Sequence, residues 1–102
     1  MSIQLDKSAL EPFCKRWKVK ELALFGSALR KDFRPDSDVD VLVTFRDDAD
    51  WSLFDMVTMQ EELGSIVGRR VDLVNRESIA RSRNWIRRDA ILESAVPVYA
   101  AR

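Results

Sequence analysis

Three features of the 102-residue chain predict an α/β fold of the α+β kind, a small mixed β-sheet with helices packed on it. Short apolar runs of β character alternate with stretches of helical periodicity, in the order α-β-(α)-β-α-β-α-β. Glycine, proline and Asp/Ser clusters punctuate the boundaries between them. Apolar residues make up 46% of the chain, enough for one core, and the length suits one domain over residues 1–102.

The elements follow in order. Asp6 or Ser8 can cap a first helix over roughly 8–18, with Leu10, Phe13, Cys14 and Trp17 at i, i+3, i+4 and i+7. Val19 to Phe25 reads as a strand stopped by Gly26. Ser27 to Lys31 starts a short helix, and Phe33 to Ser37 is a loop by its Pro-Asp-Ser content. Val39 to Phe45 is the second strand, followed by a charged loop over 46–50. A helix from about Ser52 to Val67 places Leu53, Met56, Val57, Leu63 and Ile66 at helical spacing, and Gly68 ends it. Val71 to Val74 is a third strand, and Asn84 caps a helix through about Glu93. Val96 to Tyr99 is a last strand, with Pro97 marking a sheet edge.

Composition removes several chemistries. With no histidine, Ser-His-Asp and Cys-His catalysis and His-containing zinc sites are excluded. With one cysteine, iron–sulfur clusters and an intramolecular disulfide go as well, which fits a reducing cytoplasm. Cys14 reads as a packing residue. Any metal must be a hard cation on oxygen ligands: magnesium, manganese or calcium. The N-terminus lacks the pattern of a signal peptide, and no run of 18 apolar residues is present to span a membrane. Net charge is zero but segregated. Residues 1–34 hold eight basic against four acidic residues, 35–65 one against nine, and 66–102 eight against four. Binding of long nucleic acid is therefore not expected. An acidic middle between basic flanks suits a cation site approached by an anion, or plain surface patterning.

The stretch LALFGSALRKDFRPDSDVDVLV, residues 22–43, carries the chemistry. In a strand, Asp38 and Asp40 face one way and Val39 and Val41 the other. Two carboxylates on one face repel unless a cation intervenes. Asp72 adds a third acid inside the run Val71-Asp72-Leu73-Val74. If the strands at 39–45 and 71–74 are neighbours, the three acids share one cleft. Such a cleft suits two magnesium ions roughly 3.5–4 Å apart, as used for in-line displacement at phosphorus. The blander alternative has Asp38 capping the strand, Asp40 in solvent and Asp72 paired with an arginine such as Arg70. A calcium loop starting at Asp36 fails, because its sixth and twelfth positions hold Val41 and Asp47 instead of Gly and Glu. Gly26-Ser27, after a strand and before a helix start, offers free N–H groups and a hydroxyl to phosphates. Arg30, one turn on, can reach the same phosphates. The Gly-Lys-Ser/Thr element of a Walker A loop is absent.

Gly26-Ser27, ten intervening residues and Asp38-X-Asp40 together resemble the signature of the DNA polymerase beta-type nucleotidyltransferase superfamily. The fuller stretch looks like its small branch, the minimal nucleotidyltransferase (MNT) domain proteins. The resemblance runs from about Val19 to Val74 and implies that superfamily's fold. It implies that Gly26, Ser27 and Arg30 bind the nucleotide triphosphate. Asp38, Asp40 and Asp72 would be catalytic and metal-binding, with Asp72 helping to deprotonate the attacking hydroxyl. Two Mg2+ ions are implied as cofactors, with Mn2+ also compatible, and ATP or another NTP as substrate. Many relatives have glycine where this chain has Lys31, which either points into solvent or touches phosphate.

Larger relatives carry a further domain that grips the acceptor, and none is expected here, so a separate chain would present the hydroxyl. By family analogy that chain is a HEPN-type ribonuclease toxin. The protein would then be its antitoxin, moving AMP onto a toxin tyrosine. The alternatives are an antitoxin that works by docking alone, and a small-molecule nucleotidyltransferase whose acceptor site is completed in a dimer. Two aromatic features bear on partners. Trp51 either stacks on a nucleobase or begins the helix that follows, and the second is favoured. In Ala80–Arg88, four arginines surround Trp85 and Ile86. Arg and Trp favour interfaces, but the favoured reading turns Trp85 and Ile86 into the core.

Overall fold

The computed structural model describes residues 7–26 and 38–101. The elements are α1 (Lys7–Arg16), β1 (Val19–Phe25), β2 (Val39–Phe45), α2 (Leu53–Val67), β3 (Val71–Asn75), α3 (Arg76–Ala80), α4 (Trp85–Ser94) and β4 (Val96–Ala100). The short helix from Ser27 to Lys31 and the loop over 33–37 fall outside the described residues.

The four strands form one mixed sheet in the order β3-β2-β1-β4. β1 runs antiparallel to both β2 and β4, while β2 and β3 are parallel. A parallel pair needs a long crossover, and α2 supplies it. Alternation along each strand then sorts side chains onto two faces. Leu22, Leu24, Val39, Val41, Val43, Val71 and Leu73 lie in the larger core, closed by α1 and α2 through Leu10, Phe13, Met59 and Leu63. Ala23, Phe25 and Leu42 lie in the smaller one, closed by Ile91 of α4 with Leu92 and Ile79 beside it.

Local chemistry sets the boundaries. Ser52 caps α2 by accepting from the Asp55 N–H, and the Asp55 carboxylate accepts from the Ser52 N–H at 2.9 Å, a reciprocal capping box. Gly68 ends the same helix at φ 76, its N–H reaching the Gly64 carbonyl at 2.8 Å. Asn84 caps α4 by accepting from the Arg87 N–H at 3.2 Å. Edge strand β3 is protected by α2: the Leu73 N–H donates to Gln60 Oε1 at 2.9 Å, so that donor is not left bare. β4 is the other edge, as Pro97 predicted. Among the described residues no helix is long and apolar enough to cross a membrane.

Three expectations are corrected. A five-residue helix, α3, follows β3 directly, because the Asn75 side chain caps it through the Glu77 N–H at 2.9 Å. Trp51 does not begin α2. It stands outside the Ser52 cap, donates from Nε1 to the Trp17 carbonyl at 2.8 Å and meets the Trp17 ring edge-on at 5.1 Å. That ring is half-buried against the larger core. Trp85 and Ile86 do not face the core; they are 61% and 66% exposed. The core register of α4 falls instead on Ile91.

Candidate active site at one end of the sheet

The strand register gathers the three predicted acids. Asp40 on β2 is paired with Asp72 on parallel β3, so both side chains leave the same face of adjacent strands. Asp38 precedes Asp40 by two residues and shares its parity. On the other side of β2, Asp40 is paired with Phe25, the last residue of β1, and Gly26 follows at once. The site therefore lies where β1 ends and where β2 and β3 begin. The starts of β2 and β3 are tied by the Val39 N–H, which donates to the Arg70 carbonyl at 2.9 Å.

Gly26 is fitted to Asp40. Its φ of +63° is left-handed, and a Cβ there would lie 2.7 Å from Asp40 Oδ2. Only glycine both takes that turn and leaves the carboxylate room. Ser27 and Arg30 lie outside the described residues.

The carboxylates stand in a partly solvated setting. Asp38 and Asp72 are exposed and Asp40 is half-buried, because the site lies beyond the end of the packed cores. No described charged residue is fully buried. Desolvation alone thus does not demand a cation; repulsion between neighbouring carboxylates is the remaining cost. Arg70 relieves part of it. Its Nε stands 3.7 Å from Asp38 Oδ1, so the arginine pairs with Asp38 and not with Asp72. The sequence held a signal for this, a basic residue at the very start of β3 beside the start of β2.

Among the described residues no three acidic side chains stand close enough to hold a metal ion as placed. In kind the donors still fit magnesium or manganese: all are hard oxygens, two are register neighbours, and Gly26 keeps one side of Asp40 clear. Magnesium takes one or two carboxylates and completes its shell with water and substrate phosphate, so a full protein cage is not required. Carboxylates that would hold such an ion suit chemistry at phosphorus. A cleft of about 950 Å³ opens elsewhere, at the far ends of β2 and β3 between the start of α2 and α3. It is a different place from the carboxylates.

Comparison with known proteins adds independent findings. A family model described as a nucleotidyltransferase domain matches residues 7–98. A candidate protein adenylyltransferase of Methanocaldococcus jannaschii, MJ0435, is 34% identical over 98 residues, covering 96% of this chain and 99% of that one. The protein adenylyltransferase MntA of Thermococcus cleftensis is 40% identical over 65 residues, which span 64% of each chain. Among solved structures, a complex of a tri-AMPylated Shewanella oneidensis HEPN toxin with its MNT antitoxin aligns at a TM-score of 0.60. That alignment is 18% identical and covers 93% of this chain and 70% of the other, a likeness of fold.

Proposed function

This chain belongs to the nucleotidyltransferase domain family, and we propose that it moves a nucleoside monophosphate, AMP from ATP, onto a protein hydroxyl. The acceptor is a tyrosine of a cognate HEPN ribonuclease toxin, and the transfer makes this protein the antitoxin, working as a single minimal domain in the cytoplasm. The observation that carries the reading is the pairing of Asp40 with Asp72, with Gly26 closed against Asp40. The adenylyltransferase names of the two archaeal relatives and the AMPylated toxin in the similar complex support the choice of donor and acceptor.

Each residue has a task. Gly26 and Ser27 hold the triphosphate through backbone N–H groups and a hydroxyl, and Arg30 pairs with its oxygens. Asp38, Asp40 and Asp72 would hold the divalent cations. Magnesium, or manganese, bound there would lower the pKa of the acceptor hydroxyl and offset the charge of the triphosphate. Asp72 takes the hydroxyl proton as the oxygen attacks the α-phosphorus. The bond from the α-phosphorus to the bridging oxygen breaks, and pyrophosphate leaves with that oxygen. Arg70, paired with Asp38 in the structure, would have to give up that carboxylate to a cation held there.

The test is transfer of label from ATP to the co-purified toxin in the presence of magnesium, with toxin ribonuclease activity followed in parallel. Wild-type protein labels and silences the toxin, and Asp38→Asn does neither. Full silencing by Asp38→Asn without label would replace this reading with neutralisation by docking alone.

A further inference from the structure

We infer that Arg70 is the residue that receives the acceptor, and that the face of its guanidinium selects a phenol over an aliphatic alcohol by covering the ring. The inference rests on the proposed transfer for the side on which the triphosphate lies. Order across the sheet then fixes where the acceptor enters. Gly26, which holds the triphosphate in that reading, follows β1; Asp38 and Asp40 lie at the start of β2, and Arg70 and Asp72 at the start of β3. The order β3-β2-β1 sets Arg70 and Gly26 on opposite sides of Asp38 and Asp40. In-line displacement requires the attacking oxygen and the leaving pyrophosphate to stand on opposite sides of the α-phosphorus. With pyrophosphate toward Gly26, the hydroxyl comes from the β3 side. β3 is an edge strand, so no further strand closes that approach.

Arg70 stands in that approach. The Val39 N–H donates to its carbonyl at 2.9 Å, which fixes its backbone against the start of β2. Its Nε lies 3.7 Å from Asp38 Oδ1, so one edge of the guanidinium turns to the carboxylate, yet the side chain is 86% exposed. An arginine engaged along its edge keeps its flat faces for an aromatic ring, and such stacking adds cation–π attraction to contact area. A serine or threonine hydroxyl has no ring to cover. Arg70 also lines an open groove of about 310 Å³ with Gln60, Glu61 and Ser65 of α2. It thus borders both the groove and the carboxylates. A polypeptide lying in the groove passes the guanidinium on its way to Asp72. A tyrosine in that segment rests its ring on Arg70 and carries its oxygen onward to the carboxylates. Lysine would keep the charge but lacks the flat face, so it does not replace Arg70.

The test is a set of double-mutant cycles between this protein and the toxin proposed as its partner, read as dissociation constants by isothermal titration without ATP or magnesium. Arg70→Ala and Arg70→Lys are each combined with every toxin tyrosine changed in turn to Ala or Phe, and thermal melting checks that each variant is folded. One tyrosine is expected to couple: its change to Ala and Arg70→Ala each weaken binding about fivefold, and together they weaken it no further. Its change to Phe leaves binding intact, because the ring remains. Arg70→Lys loses most of what Arg70→Ala loses, and affinity for ATP is the same throughout. A wild-type protein that does not bind the toxin overturns the inference, as does the absence of coupling to any tyrosine. So does a fall in ATP affinity on Arg70→Ala, which would make Arg70 a phosphate ligand. Tighter manganese binding with unchanged toxin affinity overturns it too, leaving Arg70 a counter-ion of Asp38. Label transfer from ATP without coupling leaves the proposed activity intact and removes only the part given to Arg70. Coupling without label transfer supports the ring contact and overturns the activity.

Discussion

The carboxylate of Asp40 occupies the space where a side chain at position 26 would begin: a Cβ on Gly26 would lie 2.7 Å from Asp40 Oδ2. Gly26 also stands at φ +63°, where an L side chain is strained. Gly26→Ala is therefore expected to cost about 1–2 kcal/mol in stability from backbone strain. The larger effect falls on the site, because Asp40 must move, and a displacement of about 1 Å can cost roughly 100-fold in rate. Thermal melting and label transfer, measured on one preparation, check both. Activity that falls no further than the small loss of folded protein explains would remove the close packing of Gly26 on Asp40 from the mechanism.

Asp40 and Asp72 oppose one another on neighbouring strands, and like charges so placed destabilise a sheet. Asp72→Asn is expected to leave stability unchanged or raise it by up to about 1 kcal/mol. Transfer falls by about 100-fold to 10,000-fold, because the hydroxyl proton loses its acceptor. Manganese binding, followed by its paramagnetic resonance signal with ATP present, weakens in parallel. A destabilised but active Asp72→Asn protein would show that the carboxylate serves the fold and not the reaction.

Trp51 offers a structural prediction. Its indole N–H bonds to the Trp17 carbonyl at 2.8 Å, across the mouth of the larger core. Trp51→Phe keeps most of the ring contact but leaves that carbonyl without its donor, at a cost of about 1–3 kcal/mol. Affinity for ATP should be unchanged. Weaker nucleotide binding, read by isothermal titration at a temperature where both proteins are folded, would restore the base-stacking role.

Burial pushes the Cys14 thiol from an ordinary 9.0 up to about 12. Below pH 9 the folded and unfolded chains both hold the proton, and Cys14 adds no pH dependence. Between pH 9 and 12 the unfolded chain releases the proton while the folded chain keeps it. Stability from this residue is then lost as pH rises, by about 1.4 kcal/mol per pH unit. Burial raises the pKa of Tyr99 too, which adds to the alkaline loss, so the comparison must be with Cys14→Ala. Urea melts at pH 9 and pH 10 should show a steeper fall for wild type than for Cys14→Ala. Equal slopes would contradict a buried, protonated thiol.

Much of this arrangement was legible in residue order, and the reason is local physics. Alternation in Val39–Phe45 and Val71–Val74 placed Asp40 and Asp72 on sheet faces, and the single helix between those strands made them neighbours, as the parallel register bears out. Gly68, Ser52 and Asn84 marked helix ends through short-range caps that depend on few residues. What stayed hidden was tertiary. Helical periodicity cannot tell which face of α4 meets the sheet, so Trp85 and Ile86 were assigned to the core that Ile91 fills. Strand alternation also says nothing of where a sheet's packed layer stops, so it leaves open how deeply the acids are buried. Arg70, weighed in the sequence as a partner for Asp72, meets Asp38 instead, a choice made only when β3 lies beside β2.

On the proposed mechanism, the carboxylate end directs attack at the α-phosphorus of ATP. Its direct test compares ATP labelled at the α-position with ATP labelled at the γ-position, each incubated with this protein, the toxin proposed as its partner and magnesium. Label from the α-position should appear on the toxin, with γ-label released in pyrophosphate, and both signals should vanish with Asp40→Asn. Transfer of γ-label to the toxin, or α-label transfer that survives Asp40→Asn, would contradict it.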